Sequence, residues 1–152
     1  SYITVASADT HFSDRGFTLW ATMSTAEKEQ ALRRATDYLE FTYRLRWAGY
    51  RVNSTQALSW PRYDVPKFDS LGNYYSSTTV PPEVIKANVE LAYRAAHGEL
   101  LEDLAPPVLS ETVGPISRTF DKSATRVTKY PAIDRLLNPL LTGQGGMQVL
   151  RA

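Results

Sequence analysis

Cysteine is absent from the 152-residue sequence, and histidine occurs only twice, at His11 and His97. Without cysteine the chain cannot form disulfides or use a thiolate as a nucleophile, and an intracellular site of synthesis is expected. The Asn53-Ser54-Thr55 sequon is therefore interpreted as coincidence, not as a glycosylation site. Neither histidine has a second histidine four residues away on one helix face, so we expect no metal and no cofactor.

Long apolar runs and an excess of one charge are also missing. No run approaches the ~18 residues that a membrane-spanning helix needs, and no signal peptide is recognisable at Ser1, so no membrane association is expected. Seventeen basic and sixteen acidic residues leave a net charge of +1, which provides no overall attraction for nucleic acid. Five arginines do cluster in one stretch: Arg33, Arg34, Arg44, Arg46 and Arg51. This cluster is either a solvated helix face with internal ion pairs or a patch that faces DNA.

Catalytic motifs are not found either. No serine has the surroundings of a nucleophile elbow, and the glycine-rich stretch 143–146 is not followed by the Lys-Ser/Thr pair of a phosphate-binding loop. The carboxylates of Glu99, Glu102 and Asp103 have the spacing of a solvated helix face, which is not an arrangement for acid and base catalysis. The sequence therefore predicts a protein that is not an enzyme.

Apolar periodicity predicts three main helices. Ser24-Thr25-Ala26-Glu27 is a capping box that starts the first, Pro81-Pro82 opens the second, and Pro131 opens a third that Pro139 should kink. A shorter helix, capped by Ser7, should precede them. The first main helix should bury one face, formed by Ala31, Leu32, Ala35, Tyr38, Leu39, Thr42 and Leu45.

The segments between and after these helices complete the predicted fold. Alternating β-forming residues on either side of Gly114-Pro115 predict a β-hairpin at about 108–120. The predicted fold class is mainly α: a small helical bundle with a long irregular loop, a β-hairpin and an extended C-terminal arm. We divide the chain into a helical domain with the hairpin at 1–143 and a flexible arm at 144–152.

The arm begins at a hinge formed by Gly145 and Gly146 and continues with a short strand-like pattern. It is either a frayed terminus or a docking arm that adds a strand to a partner. The residues of this arm are Met147, Gln148, Val149, Leu150, Arg151 and Ala152.

Aromatic and basic residues alternate in the long loop that follows Gly49. Proteins that bind single-stranded DNA stack bases on such rings while nearby cations contact the phosphates. The same rings could instead anchor the loop on the helices, because each buries a large apolar area. Either interpretation, facing DNA or anchoring the loop, applies to Trp60, Arg62, Tyr63 and Lys67. Further rings considered as anchors are Phe68, Tyr74 and Tyr75.

Several segments resemble a family of tailed-phage and prophage proteins that carry the label of DnaT-like single-stranded DNA-binding protein. By gene neighbourhood and fold, many members are identified as head-to-tail connector, or adaptor, proteins. The resemblance covers nearly the whole chain, and none of its motifs is catalytic. The segments that carry it are 2–9 (YITVASAD), 35–39 (ATDYL), 55–62 (TQALSWPR), 80–84 (VPPEV), 110–117 (SETVGPIS), 130–134 (YPAID) and Leu136-Leu137.

The resemblance implies a structural virion protein located in the neck, at the head-tail interface, and synthesised in the host cytoplasm. Such a subunit forms a ring, usually of twelve copies, beneath the portal protein, extends the channel for double-stranded DNA and offers a platform to a downstream neck or tail-completion protein. The portal-docking role would fall on the arm, Met147 to Ala152. The alternative function is binding of single-stranded DNA through the aromatic and basic loop.

Overall fold

The computed structural model describes residues 1–100, 108–112, 117–120 and 130–142, with the backbone alone in 108–112 and 117–120. The α-helices of the described residues are α1 (Val5–Asp14), α2 (Thr18–Ala21), α3 (Thr25–Tyr43), α4 (Pro82–Ala95) and α5 (Pro131–Leu137). The strands are β1 (Tyr50–Arg51), β2 (Arg62–Tyr63), β3 (Val108–Thr112) and β4 (Ser117–Phe120). The mainly α fold class predicted from the sequence is confirmed.

Helices α3 and α4 form the centre of the fold. The predicted capping box starts α3: the Ser24 hydroxyl accepts from the backbone N–H of Glu27, and the Glu27 carboxylate accepts from the N–H of Ser24 at 2.8 Å. The proline pair at 81–82 opens α4 as predicted, and the buried face of α4 includes alanines at 87, 92 and 95. Small residues at a helix contact allow the two axes to approach closely.

The buried face predicted for α3 is wrong at Leu45. The helix ends at Tyr43, and a turn at 44–46 follows it, so Leu45 no longer shares the face of the preceding apolar residues. Its side chain is 93% exposed. The 3.6-residue period had been extended past the residue at which the helix stops.

Local signals account for two other differences. The cap of α1 is Thr4 and not Ser7, because the Thr4 hydroxyl accepts from the N–H of Ser7, which is already helical. Helix α2 was not predicted, since four residues are too few to show a helical period. Its Trp20 is buried against Phe12 of α1.

A buried amide joins the N-terminal segment to the central helix pair. Asn88 of α4 is fully buried; its Oδ1 accepts from the backbone N–H of Tyr2 at 3.0 Å, and its Nδ2 donates to the Leu32 carbonyl at 3.3 Å. The Thr36 hydroxyl donates to the same Leu32 carbonyl at 2.9 Å and lies 3.4 Å from Oδ1. Because buried polar groups are costly unless paired, this network fixes the position of the first residues of the chain.

The described segments of the C-terminal part, 108–112, 117–120 and 130–142, agree with the predicted hairpin and last helix. Strands β3 and β4 form the predicted antiparallel hairpin, with Thr112 opposite Ser117. Helix α5 passes into a 3-10 turn at Asn138–Leu140, where Pro139 was expected to kink it. The hinge and the arm, 144–152, lie outside the described residues, and the division of the chain at 143 stays a prediction. None of the described helices combines the length and apolar character that a transmembrane segment needs.

Candidate nucleic-acid interface

A two-stranded ribbon within the predicted irregular loop carries the most exposed arrangement of rings and charge. Strands β1 and β2 are antiparallel, with Tyr50 opposite Tyr63 and Arg51 opposite Arg62. Tyr50 is 65% exposed and Tyr63 is 44% exposed. Their ring centroids lie 5.9 Å apart with an angle of 41° between the ring planes. We call Tyr50, Arg51 and Tyr63 the aromatic ribbon.

Gly49 determines how closely the two strands of the ribbon can approach. It has a φ of +66°, and a Cβ added there would lie 2.1 Å from the Tyr63 carbonyl oxygen and 2.7 Å from Cγ2 of Val65. Any other residue would therefore both strain the backbone and clash with β2.

Arg62 holds the loop together from inside. Its guanidinium is buried and donates to the carbonyl oxygens of Ala48 and Gly49, each at 2.7 Å, and to that of Ser59 at 3.2 Å. Burial lowers the pKa of Arg62, and the nearby charge of Arg51 lowers it further. Because the side chain is buried and three of its N–H groups are bound to backbone carbonyls, Arg62 acts as an anchor and does not present its charge to a phosphate.

Trp60 is also an anchor. It is 2% exposed and packs edge-to-face on Trp47, with 5.4 Å between the ring centroids. The Trp60-Pro61 peptide bond is cis. Of the four loop residues singled out in the sequence, Trp60 and Arg62 therefore anchor the loop, whereas Tyr63 and Lys67 are on the surface. Among the other rings considered as anchors, Tyr75 is half-buried, while Phe68 and Tyr74 are exposed.

A groove of about 900 Å³ lies beside the ribbon, between it and the C-terminal half of α3. Glu40 faces this groove, but the hydroxyls of Tyr2 and Ser59 both donate to its carboxylate. Burial raises the pKa of Tyr2, and the hydrogen bond to Glu40 raises it further. The Glu40 carboxylate is thus used inside the protein. The exposed charges that line the groove are those of Asp37, Arg44 and Arg51.

The arginine cluster separates into two groups. Arg33 forms an ion pair with Glu29 at 3.1 Å, and the Arg46 guanidinium lies over the Tyr43 ring at 5.6 Å. Arg33 and the exposed Arg34, both in α3, agree with the interpretation of a solvated helix face, whereas Arg46 is half-buried in the turn after the helix. Arg44 and Arg51 instead border the groove. Lys67 follows four residues after Tyr63, and its ammonium lies 5.3 Å from the centroid of the Tyr75 ring.

Sequence reasoning did not identify Tyr50 as part of this surface. The available signal was the mirrored pair of dipeptides, Tyr50-Arg51 and Arg62-Tyr63, which places like residues opposite each other in an antiparallel pair. No group of three or more His, Asp or Glu side chains in the described ranges could hold a metal ion.

The fold and the ribbon together define a small helical protein with an exposed aromatic and basic surface. A family model described as "Putative DnaT-like ssDNA binding protein" matches residues 1–152. The chain belongs to this DnaT-like family. No curated protein and no solved structure matches the chain.

Proposed function

We propose that the protein binds single-stranded DNA and that the aromatic ribbon is its contact surface. The observation that carries the proposal is the exposed pair of rings, Tyr50 and Tyr63, on a ribbon that also presents Arg51. Because the two rings already contact each other, bases would stack on their outer faces. Each stacked base contributes ~1 to 3 kcal/mol in proteins of this kind. The description of the family supports the same function.

The charge beside the ribbon suits a phosphate backbone. Residues 41–52 contain Arg44, Arg46 and Arg51 and no acidic residue, and Arg44 and Arg51 outnumber the one exposed carboxylate of the groove, that of Asp37. For each phosphate that the protein neutralises on a single strand, the slope of the logarithm of the binding constant against the logarithm of salt concentration becomes more negative by ~0.7. If Arg44, Arg51 and Lys67 each contact one phosphate, the logarithm of the binding constant should fall with a slope of about −2 against the logarithm of salt concentration. Binding should therefore weaken measurably between low and physiological salt.

Fluorescence anisotropy with a labelled oligothymidine tests the proposal. Tyr50→Ala and Tyr63→Ala should each weaken binding by ~5- to 150-fold, which corresponds to the loss of one stacked base. Tyr74→Ala is the matched control, because Tyr74 is also an exposed tyrosine but lies outside the ribbon. Equal affinities for the wild type and both ribbon variants would contradict the proposal. In this account the protein acts by binding and has no catalytic activity.

A second candidate function, the connector subunit of a phage neck, is favoured by a different observation. Phe41, in α3, and Leu45, in the turn after it, are 74% and 93% exposed and line the same groove, and exposed apolar side chains that share one surface are typical of assembling subunits. In this function the protein forms a ring of twelve copies in the virion, beneath the portal, around double-stranded DNA that it does not read by sequence. A downstream neck or tail-completion protein would bind next.

Deletion of the arm, Met147 to Ala152, tests the connector function. If the arm docks on the portal, the deletion should prevent attachment to portal-containing heads and leave thermal unfolding of the domain nearly unchanged. Normal attachment of the truncated protein would show that the arm is not required. The DNA-binding proposal does not involve the arm, so the two candidate functions are tested separately.

A further inference from the structure

Phe41 is a third exposed ring on the surface proposed to bind DNA. It lies in the last turn of α3 and is 74% exposed. Together with Tyr50 and Arg51 of the aromatic ribbon, it lines the groove of about 900 Å³ beside the ribbon. This volume is towards the upper end of the ~300 to 1,000 Å³ range of ligand pockets, so the groove has room for a nucleotide. A strand that stacks on the ribbon can therefore continue over Phe41.

Helical spacing places one charge on each side of the Phe41 ring. Asp37 precedes Phe41 by four residues, and Arg44 follows it by three and keeps a helical conformation. Residues at these separations are neighbours on one helix face, with about 5 to 6 Å between their Cβ atoms. Asp37 and Arg44 also line the groove. A base stacked on Phe41 would thus have a carboxylate at one edge and a guanidinium nearby for its phosphate.

The Asp37 carboxylate is available to accept a hydrogen bond. It is exposed, and within the described residues no hydrogen bond or ion pair engages it. Glu40, the other carboxylate of the groove, differs because the hydroxyls of Tyr2 and Ser59 donate to it. A free carboxylate repels phosphates, so Asp37 lowers the affinity of the groove for DNA of any sequence. It favours binding only when a base donates a hydrogen bond to it.

Bases differ in the group that they would present to this carboxylate. Cytosine has an amino group at C4, which donates hydrogen bonds to Asp and Glu side chains in protein–DNA complexes. Thymine has a carbonyl oxygen at the same position, so it would place a second acceptor against the carboxylate. In a single strand this edge of the base is unpaired and open to the protein. A carboxylate beside a stacked base can therefore distinguish cytosine from thymine.

We propose that the groove holds one nucleotide of the bound strand, with its base stacked on Phe41, and that Asp37 selects cytosine over thymine at this position. The inference rests on the proposed function, because the strand must first be bound at the ribbon. It adds base selectivity to that function. The ribbon alone discriminates little, since every base has a face that can stack on a ring.

Anisotropy titrations of the full chain with oligodeoxycytidine and oligodeoxyuridine of equal length test the selectivity. Uracil lacks the methyl group of thymine, so the two bases differ only at C4 and N3. Wild type should bind the cytidine strand ~2- to 10-fold more tightly, the effect of one hydrogen bond. Asp37→Asn should remove most of this difference, because an amide both donates and accepts. It should also raise the affinity for both strands, since it removes one negative charge.

Asp14→Asn is the matched control for the change in charge. Asp14 is an exposed aspartate at the end of α1 and does not line the groove. The variant loses the same charge as Asp37→Asn but should keep the wild-type preference for the cytidine strand. The ratio of the two affinities therefore separates the reading of a base from a general electrostatic effect.

Phe41→Leu and Phe41→Trp test the stacking. Leucine keeps an apolar side chain without a ring, so the affinity for both strands should fall at least ~5-fold, whereas tryptophan keeps a ring and should retain the wild-type affinity. Position 41 is exposed, so both variants should fold, which circular dichroism checks.

The inference is overturned if wild type binds the two strands equally, if Asp37→Asn keeps the preference, or if folded Phe41→Leu binds as tightly as wild type. The last result is also expected if Phe41 serves a protein partner instead of DNA. Weaker binding by Tyr50→Ala without these effects would leave the proposed function standing and confine the contact to the ribbon. If wild type binds neither strand, the proposed function fails as well.

Discussion

The two arginines that face each other across the ribbon should have opposite roles, although the sequence does not distinguish them. Arg62 is buried with its donors on three backbone carbonyls, whereas Arg51 is exposed and has one contact, to the Gln56 carbonyl at 3.0 Å. We therefore expect Arg62→Met to destabilise the protein. We expect Arg51→Met to weaken DNA binding with little effect on stability.

The expected loss in the free energy of unfolding of Arg62→Met follows from the backbone carbonyls that lose their hydrogen-bond donor. Methionine keeps much of the side-chain volume but cannot donate to the carbonyls of Ala48 and Gly49, each of which accepts at 2.7 Å. A buried polar group left without a partner costs ~1 to 3 kcal/mol, so loss of these two bonds should lower the free energy of unfolding by ~2 to 6 kcal/mol. For Arg51→Met the expected change is within ~0.5 kcal/mol, as is usual for an exposed residue.

Urea denaturation followed by tryptophan fluorescence measures both variants, and oligonucleotide anisotropy on the same samples separates the two roles. For Arg62→Met the urea concentration at the unfolding midpoint should fall, while the slope of the unfolding free energy against urea concentration stays unchanged. Arg51→Met should keep the wild-type midpoint and lose affinity, with a salt slope reduced by ~0.7. Wild-type stability in Arg62→Met together with lost DNA affinity would refute the assignment of Arg62 as an anchor.

Three further predictions concern stability. Gly49→Ala should lower the free energy of unfolding by more than the ~1 to 2 kcal/mol of its left-handed conformation, because its Cβ would also clash with the Tyr63 carbonyl oxygen; an unchanged urea midpoint would contradict this. Asn88→Ala should cost ~1 to 3 kcal/mol by leaving the N–H of Tyr2 unpaired, since the Leu32 carbonyl still accepts from the Thr36 hydroxyl at 2.9 Å, and a thermal midpoint equal to wild type would argue against it. Hydrogen bonds from the backbone and hydroxyl of Ser24 lower the pKa of Glu27. The ionised Glu27 therefore stabilises the folded protein above the unfolded pKa of ~4.3, and this contribution is lost as the pH falls through the lower pKa of the folded state. Thermal unfolding from pH ~6 to 3 should show this loss in wild type and less of it in Glu27→Gln; identical profiles would exclude the contribution.

The helices were predictable because their signals are local. The capping box at Ser24, the proline pair before α4 and the 3.6-residue period each depend on residues within a few positions of one another. The exposure of Leu45 was not predictable from the period alone, because no proline or glycine marks the end of α3 before Gly49. The sequence thus indicated a buried residue where the fold has a surface one.

The candidate site was only half predictable. Composition identified a loop in which rings and cations alternate, but it did not separate Trp60 and Arg62, which face the core, from Tyr63, which faces solvent. That separation depends on contacts with Trp47 and with the carbonyls of residues 48 and 49, which are distant in sequence from β2. Strands of two residues are also far shorter than the usual five or six, and they leave almost no alternating pattern to detect.

Photo-crosslinking with an oligonucleotide that contains 5-iododeoxyuridine tests the central proposal most directly. A halogenated base stacked on an aromatic ring couples to it on irradiation, and mass spectrometry of the digested full-length protein then identifies the residue. If the aromatic ribbon binds single-stranded DNA, the adducts should lie on Tyr50 or Tyr63, and excess unlabelled oligonucleotide should suppress them. Adducts confined to other exposed rings, such as Phe68 and Tyr74, or no adduct at concentrations that saturate binding, would contradict it.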